Sequence, residues 1–238
     1  MKKTLLVTLL LFYGLACSQT WKVQYNYKVI NTISKSAYTF PAILSLDSSG
    51  QVLYTVKYGI NNQLKENNQD NGIFTLADKS SWDYVMYSNK DNPALISDEI
   101  NGKKYLFIDE VPSFSYTITE ETKTEKKIEL TKATATFRGR NYTIWFDANS
   151  NIKGAPWKFS GLPGLAYEIY DDQNLFLWKL QSIERSEKIM MDPFKEKKTQ
   201  DFVSYNQYPK LNIPPKFLFA ILNIQTERIR IMSRKDKG

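Results

Sequence analysis

From Trp21 to Ile30 the chain alternates, with Trp21, Val23, Tyr25, Tyr27 and Val29 on one side and Lys22, Gln24, Asn26 and Lys28 on the other. A period of two marks a strand with one buried face. Tyr38 to Leu46 and Val52 to Tyr58 continue the pattern, joined by the turn-forming run Asp47-Ser48-Ser49-Gly50. Residues 59–72 are polar and Asn-rich and read as an exposed loop. Trp82 to Tyr87 and Lys103 to Ile108 are two more strands, with a break at Asn89-Lys90-Asp91-Asn92-Pro93 and a hairpin signal at Asn101-Gly102 between Ile100 and Lys103. Ser115 to Thr119 reads as a short strand, and Glu120 to Lys127 as a charged, turn-like run.

Alternation returns at Ala133, Ala135 and Phe137 and again at Tyr142, Ile144 and Phe146, around Gly139, which at the first central position suits a two-residue type II′ hairpin. Leu165, Tyr167 and Ile169 alternate with Ala166, Glu168 and Tyr170, and after Asp171-Asp172-Gln173-Asn174 the chain returns through Phe176, Trp178 and Leu180. Between these hairpins lies a stiff insertion. Gly161, Leu162, Pro163 and Gly164 are assigned as its structural turn, with Leu162-Pro163-Gly164-Leu165 fitting type II because Pro sets φ and Gly accepts a positive φ. Asp192-Pro193 has the form of a helix start, which predicts a helix from Phe194 to about Tyr205. Phe217 to Met232 carries both helical and strand spacings and is assigned to a helix packed on the sheet.

The elements add up to a mainly β fold: a curved antiparallel sheet, open barrel or sandwich of roughly 8–11 strands with one or two C-terminal helices. The length of 238 residues asks for no more than one domain. Residues 1–19 have the charged start and short apolar run of a signal peptide, leaving 20–238 as a single mainly β domain that ends in a partly helical basic tail. The apolar run is shorter than the ~20 residues a membrane helix needs. Cys17, the single cysteine, follows Gly14-Leu15-Ala16. Two fates fit it: lipidation of a lipobox-like site, in which Gly14 departs from the usual aliphatic residue, or removal by cleavage after Ser18 or Gln19. Both place the protein outside the cytoplasm: periplasmic, outer-membrane-associated or extracellular.

The formal charge is +7. Its one concentration, Arg228, Arg230, Arg234, Lys235 and Lys237, reads as a solvated terminus, and nothing here suits nucleic acid. Histidine is absent, which removes the commonest general base and metal ligand. No metal or cofactor is assigned. Asp171, Asp172 and Glu168 are the carboxylates nearest to an acid–base set, but adjacent Asp residues between strands are also what a turn prefers. Arg138 and Arg140 flank a hairpin and suit a carboxylate or lipid headgroup, or a fork pairing with an Asp of the neighbouring turn. Trp145, Trp157, Phe159, Tyr170 and Trp178 suit either a ligand groove or core filling.

The stretches Phe137-Arg138-Gly139-Arg140, Tyr142-Thr143, Trp145-Phe146, Gly154 to Leu165 and Glu168-Ile169-Tyr170-Asp171-Asp172 together resemble the GLPGLI family of exported Bacteroidota proteins. The resemblance is specific over residues 130–184. Ala166 replaces the motif's final Ile, and Leu130 stands near where many members carry a cysteine, so no role of that thiol carries over. The resemblance implies a bacterial cell-envelope protein and brings no catalytic residues with it. The leading expectation is a non-enzymatic protein that binds a lipid, a peptide or another apolar or amphipathic envelope partner. The alternatives are a carboxylate-based hydrolase, which requires Asp171, Asp172 or Glu168 to face another acid in a cleft, and a structural accessory of an outer-membrane receptor.

Overall fold

A computed structural model describes residues 20–30, 35–58, 83–90, 92–100 and 103–204. The signal peptide, Cys17, the 59–72 loop, the Asn101-Gly102 pair and the 217–232 segment lie outside them. The described chain forms one sheet of twelve strands: β1 (Thr20–Ile30), β2 (Ala37–Asp47), β3 (Gln51–Lys57), β4 (Asp83–Asn89), β5 (Ala94–Ile100), β6 (Lys103–Asp109), β7 (Thr117–Glu125), β8 (Ile128–Phe137), β9 (Arg140–Asp147), β10 (Leu165–Asp171), β11 (Phe176–Ser186) and β12 (Val203–Ser204). Their order across the sheet is β12-β6-β5-β4-β3-β2-β1-β11-β10-β9-β8-β7. Two meanders, β1 to β6 and β7 to β11, are thus joined where β1 pairs antiparallel with β11, from Thr20↔Ser186 to Val29↔Phe176 with a bulge at Gln24/Tyr25. All pairings are antiparallel except that of β12 with β6.

The alternation read along β1 is the packing found, since Val23, Tyr25, Tyr27 and Val29 are buried. They share an inner face with Ala42, Leu44, Leu46, Tyr54, Val56, Ile96, Phe107, Ile144 and Trp178. Contacts between strands that are not neighbours show that the sheet curls about this face. Trp178 Nε1 of β11 donates to the hydroxyl of Tyr54 in β3 at 2.8 Å, over the top of β1 and β2. Arg138, in the β8–β9 turn near one edge, meets Asp109 of β6 near the other at 2.9 Å. Right-handed strand twist accumulated over this many strands favours such curling over a flat sheet.

Four expectations change. Glu120 to Glu125 belongs to strand β7, because pairing with β8 outweighs the low strand preference of its charges. The β8–β9 hairpin has a two-residue turn, but its central residues are Arg138 (φ 50°) and Gly139 (φ 78°), which puts Gly139 second and not first, and both are left-handed, which is type I′ and not II′. In the Gly161–Gly164 segment the left-handed residue is Gly161 (φ 79°) and not Gly164, so the type II turn at 162–165 does not form. Finally, residues 194–204 are not an α-helix. Asp192 Oδ1 does cap the chain, accepting from the Phe194 amide at 2.7 Å, but it leads only into turns, a 3-10 turn at Thr199–Asp201 and β12. Phe194 is held with Met190 and Tyr87 on the outer face of the first meander, and Val203 then pairs with the β6 edge. Propagating a helix would forfeit both contacts.

Candidate ligand-binding face

The inner face has two halves of different character. Over the second meander it is filled by the 148–164 connection between β9 and β10. This connection is clipped at its base: the Gly154 amide donates to the Gly164 carbonyl at 3.0 Å and the Ala166 amide to the Gly154 carbonyl at 2.9 Å. Both glycines sit at close approaches, Gly164 against backbone and Gly154 against the tip of a side chain. A Cβ at Gly164 would fall on the carbonyl oxygen of Asp147, and one at Gly154 would lie 2.6 Å from Leu46 Cδ1. Gly161 is exposed, with open space beside it, and serves the turn; Leu162 is buried and Pro163 exposed.

The clipped loop drives Trp157 and Phe159 onto the sheet. Trp157 stacks on Trp178 (centroids 6.1 Å apart, 13° between planes), and Phe159 meets Trp178 edge-on at 5.7 Å. Phe159 is 1% exposed and Trp178 3%, so these rings act as core filling. Trp157 holds a left-handed φ of 57°, a costly conformation for a bulky residue, maintained by this packing. Trp145 and Tyr170 are not part of the group. They lie on the outer face, where Lys123 sits 4.6 Å over the Trp145 ring and pairs with Glu168.

Arg138 and Arg140 each meet a carboxylate. Arg140 Nη1 donates to Asp171 Oδ2 at 2.9 Å, so Arg140 does pair with an Asp at the neighbouring turn, through one N–H at the end of β10, and Asp171 Oδ1 accepts from the Phe176 amide at 2.9 Å. Asp171 has no exposed surface. Asp109 accepts from Arg138 and from the buried ammonium of Lys158. Of the carboxylates considered for hydrolysis, Asp171 is thus held by Arg140, Glu168 faces outward against Lys123, and Asp172 is exposed.

Over the first meander the inner face is lined differently. Phe40, Tyr58, Tyr84 and Tyr105 are half-buried around Tyr27 and Asp98. Cross-strand register sets Asp98 of β5 opposite Tyr105 of β6, and Val56 opposite Tyr84. Phe40 meets Tyr58 edge-on at 4.7 Å. Asp98 is 7% exposed and accepts the Glu99 amide on Oδ1 at 2.9 Å. Burial pushes its carboxyl up to about 7, opposed by that amide bond and assisted by the Glu99 charge. Burial also holds the hydroxyls of Tyr27 and Tyr58 well above their ordinary range, with smaller contributions from nearby groups that include Asp98.

These residues escape sequence reading because the pattern between Pro93 and Asn101 does not delimit β5 as a strand. Once Ala94 and Ile96 are placed inward, the next inward position is Asp98, and a carboxylate there is the visible signal.

No protein-family profile matches the chain, and no curated protein does. Among solved structures, PNGF-II in a C2 crystal form aligns with a TM-score of 0.51 and 14% identity over 81% of this chain and 32% of its own. A P21 form of PNGF-II aligns at 0.49, also with 14% identity, over 81% of this chain and 33% of its own. The chain therefore spans about a third of the length of those structures, and at this identity the likeness concerns the fold alone. A LolA superfamily protein, NE2245 from Nitrosomonas europaea, aligns at 0.32 with 5% identity, over 76% of this chain and 90% of its own, too low a score to carry an argument.

Proposed function

We propose that this is an exported cell-envelope protein that binds an apolar or amphipathic ligand without transforming it, on the open half of the inner face. The observation that carries the reading is the contrast between the halves. One is packed by Trp157, Phe159 and Leu162, while the other presents Phe40, Tyr58, Tyr84 and Tyr105 only partly covered. Large half-buried rings set in a concave apolar wall are the usual lining of a ligand site. The resemblance of residues 130–184 to GLPGLI proteins, and the signal-like residues 1–19, support the envelope assignment. A hydrolase finds no support in the carboxylates it would need, since Asp171 and Glu168 are engaged by Arg140 and Lys123.

Titration with an uncharged single-chain amphiphile, n-dodecyl maltoside below its micelle concentration, tests the reading. Tyr105→Ala weakens binding by roughly tenfold, the loss of one large apolar contact, whereas Trp145→Ala on the outer face leaves it unchanged. Equal sensitivity to both substitutions, or no binding by the parent protein, contradicts the reading.

A further inference from the structure

The described residues contain three buried or largely buried inner-face carboxylates, and two are supplied with cations by the chain: Asp171 by Arg140, and Asp109 by Arg138 and Lys158. Asp98 differs. It is more than nine-tenths buried, no described Lys or Arg pairs with it, and its one hydrogen bond comes from the adjacent Glu99 amide to Oδ1. Oδ2 takes no hydrogen bond from a described residue. This occurs in a protein of formal charge +7, so the missing partner is not explained by a shortage of cations.

The surroundings of Asp98 are aromatic. Tyr105 lies directly opposite it on β6, Tyr84 occupies the neighbouring inner position on β4, and Tyr27 and Tyr58 are near enough for the Asp98 charge to act on their hydroxyls. Among the described residues, Tyr27 of β1 and Tyr58 after β3 lie within range of the Asp98 charge, Tyr105 of β6 and Tyr84 of β4 are its neighbours by strand register, Tyr54 is beside Tyr84 (centroids 6.3 Å apart), and Glu99 is next in the chain. None of these carries positive charge. Ring faces attract cations, and a carboxylate among them adds full charge complementarity in a poorly solvated place.

We propose that Asp98, with Tyr27, Tyr58, Tyr84 and Tyr105, forms a cation-binding site that takes the ammonium head of an amphiphile whose chain lies along the inner face. The inference rests on the apolar-ligand reading and deepens it by naming the head group. The Asp98 carboxyl shares its proton between bound and free forms near neutral pH, and an ammonium selects the carboxylate. Binding therefore displaces a proton from Oδ to solvent, with no bond made to the ligand.

The test titrates n-dodecyltrimethylammonium, whose charge does not change with pH, against n-dodecyl maltoside, both below their micelle concentrations. The parent protein binds the ammonium at least about tenfold more tightly at about pH 8 than Asp98→Asn does, the scale of one charge-assisted contact. Asp98→Asn weakens maltoside binding by less than it weakens ammonium binding. In the parent protein ammonium affinity rises between about pH 6 and about pH 8, and binding at about pH 7 releases up to about half a proton, read from calorimetry in buffers of different ionisation enthalpy. Neither effect is seen with maltoside. Equal ammonium binding by Asp98→Asn overturns the inference while leaving the apolar reading intact if maltoside binds. Should Asp98→Asn fail to fold, the parent protein alone decides: no preference for ammonium and no proton release overturn the inference. Binding of neither amphiphile overturns both readings.

Discussion

Gly161 and Gly164 stand three residues apart and are glycine for different reasons, which predicts different costs for the same substitution. Gly164→Ala forces a methyl group onto the Asp147 carbonyl and lowers stability by more than about 2 kcal/mol, whereas Gly161→Ala meets open space and loses about 1 kcal/mol for its left-handed φ. Urea denaturation of the two variants checks the order. Asp98 makes a second residue-scale prediction. Its carboxyl is raised from an ordinary value of 3.8 to about 7 in the folded protein, so between those values the folded state binds more protons than the unfolded chain. The Asp98 contribution is therefore intact below about pH 4 and is lost as pH rises through about 7, by on the order of 4 kcal/mol. Asp98→Asn removes that loss. The stability difference between Asp98→Asn and the parent protein, measured by denaturation at several pH values, grows in favour of the variant from about pH 4 to about pH 7 and is flat above.

At the scale of elements, the β9–β10 loop and the 187–204 segment cover opposite faces of the sheet and depend on different contacts. Arg140→Met leaves the Asp171 carboxylate buried without its cation and costs about 3–5 kcal/mol, loosening the β9–β10 end of the second meander. Phe194→Ala costs about 3 kcal/mol and acts elsewhere. It releases the outer-face cluster with Tyr87 and Met190, so amide exchange quickens over 190–204 while β8–β10 stay protected. Much of this organisation is legible in the sequence. The alternation from Trp21 to Val29 marks β1 and its buried face, and Phe137-Arg138-Gly139-Arg140 marks a hairpin. Turn types are not legible, because Arg138 accepts a left-handed φ with its side chain directed to Asp109, a residue 29 positions away. The helix assigned from Asp192-Pro193 fails for a related reason: the cap forms, but docking of Phe194 and pairing with the β6 edge determine the path of the chain beyond it. The site is half legible. Trp157, Phe159 and Trp178 do come together, but Trp145 and Tyr170 are separated from them by strand parity, which places alternate residues on opposite faces.

For the whole molecule, the first strand, β1, joins two meanders by pairing with β11, the last strand of the second, and the sheet they share curls until Asp109 and Arg138 meet across it. The 148–164 loop occupies the half of the enclosed face nearest β8 to β11, and the remaining half keeps its tyrosines partly uncovered. On the proposed reading a bound chain covers these rings further, so the ligand stabilises the folded state and the melting temperature rises with the logarithm of free ligand concentration once that exceeds Kd. The most direct test of where that ligand sits is nuclear Overhauser contact between the alkyl protons of n-dodecyltrimethylammonium and the protein's aromatic rings. The account predicts contacts to Tyr84, Tyr105 and Phe40, with the head-group methyls nearest Tyr105, and none to Trp145. Contacts confined to the outer face, at Trp145 or at the exposed Ile189 and Met191, would contradict it.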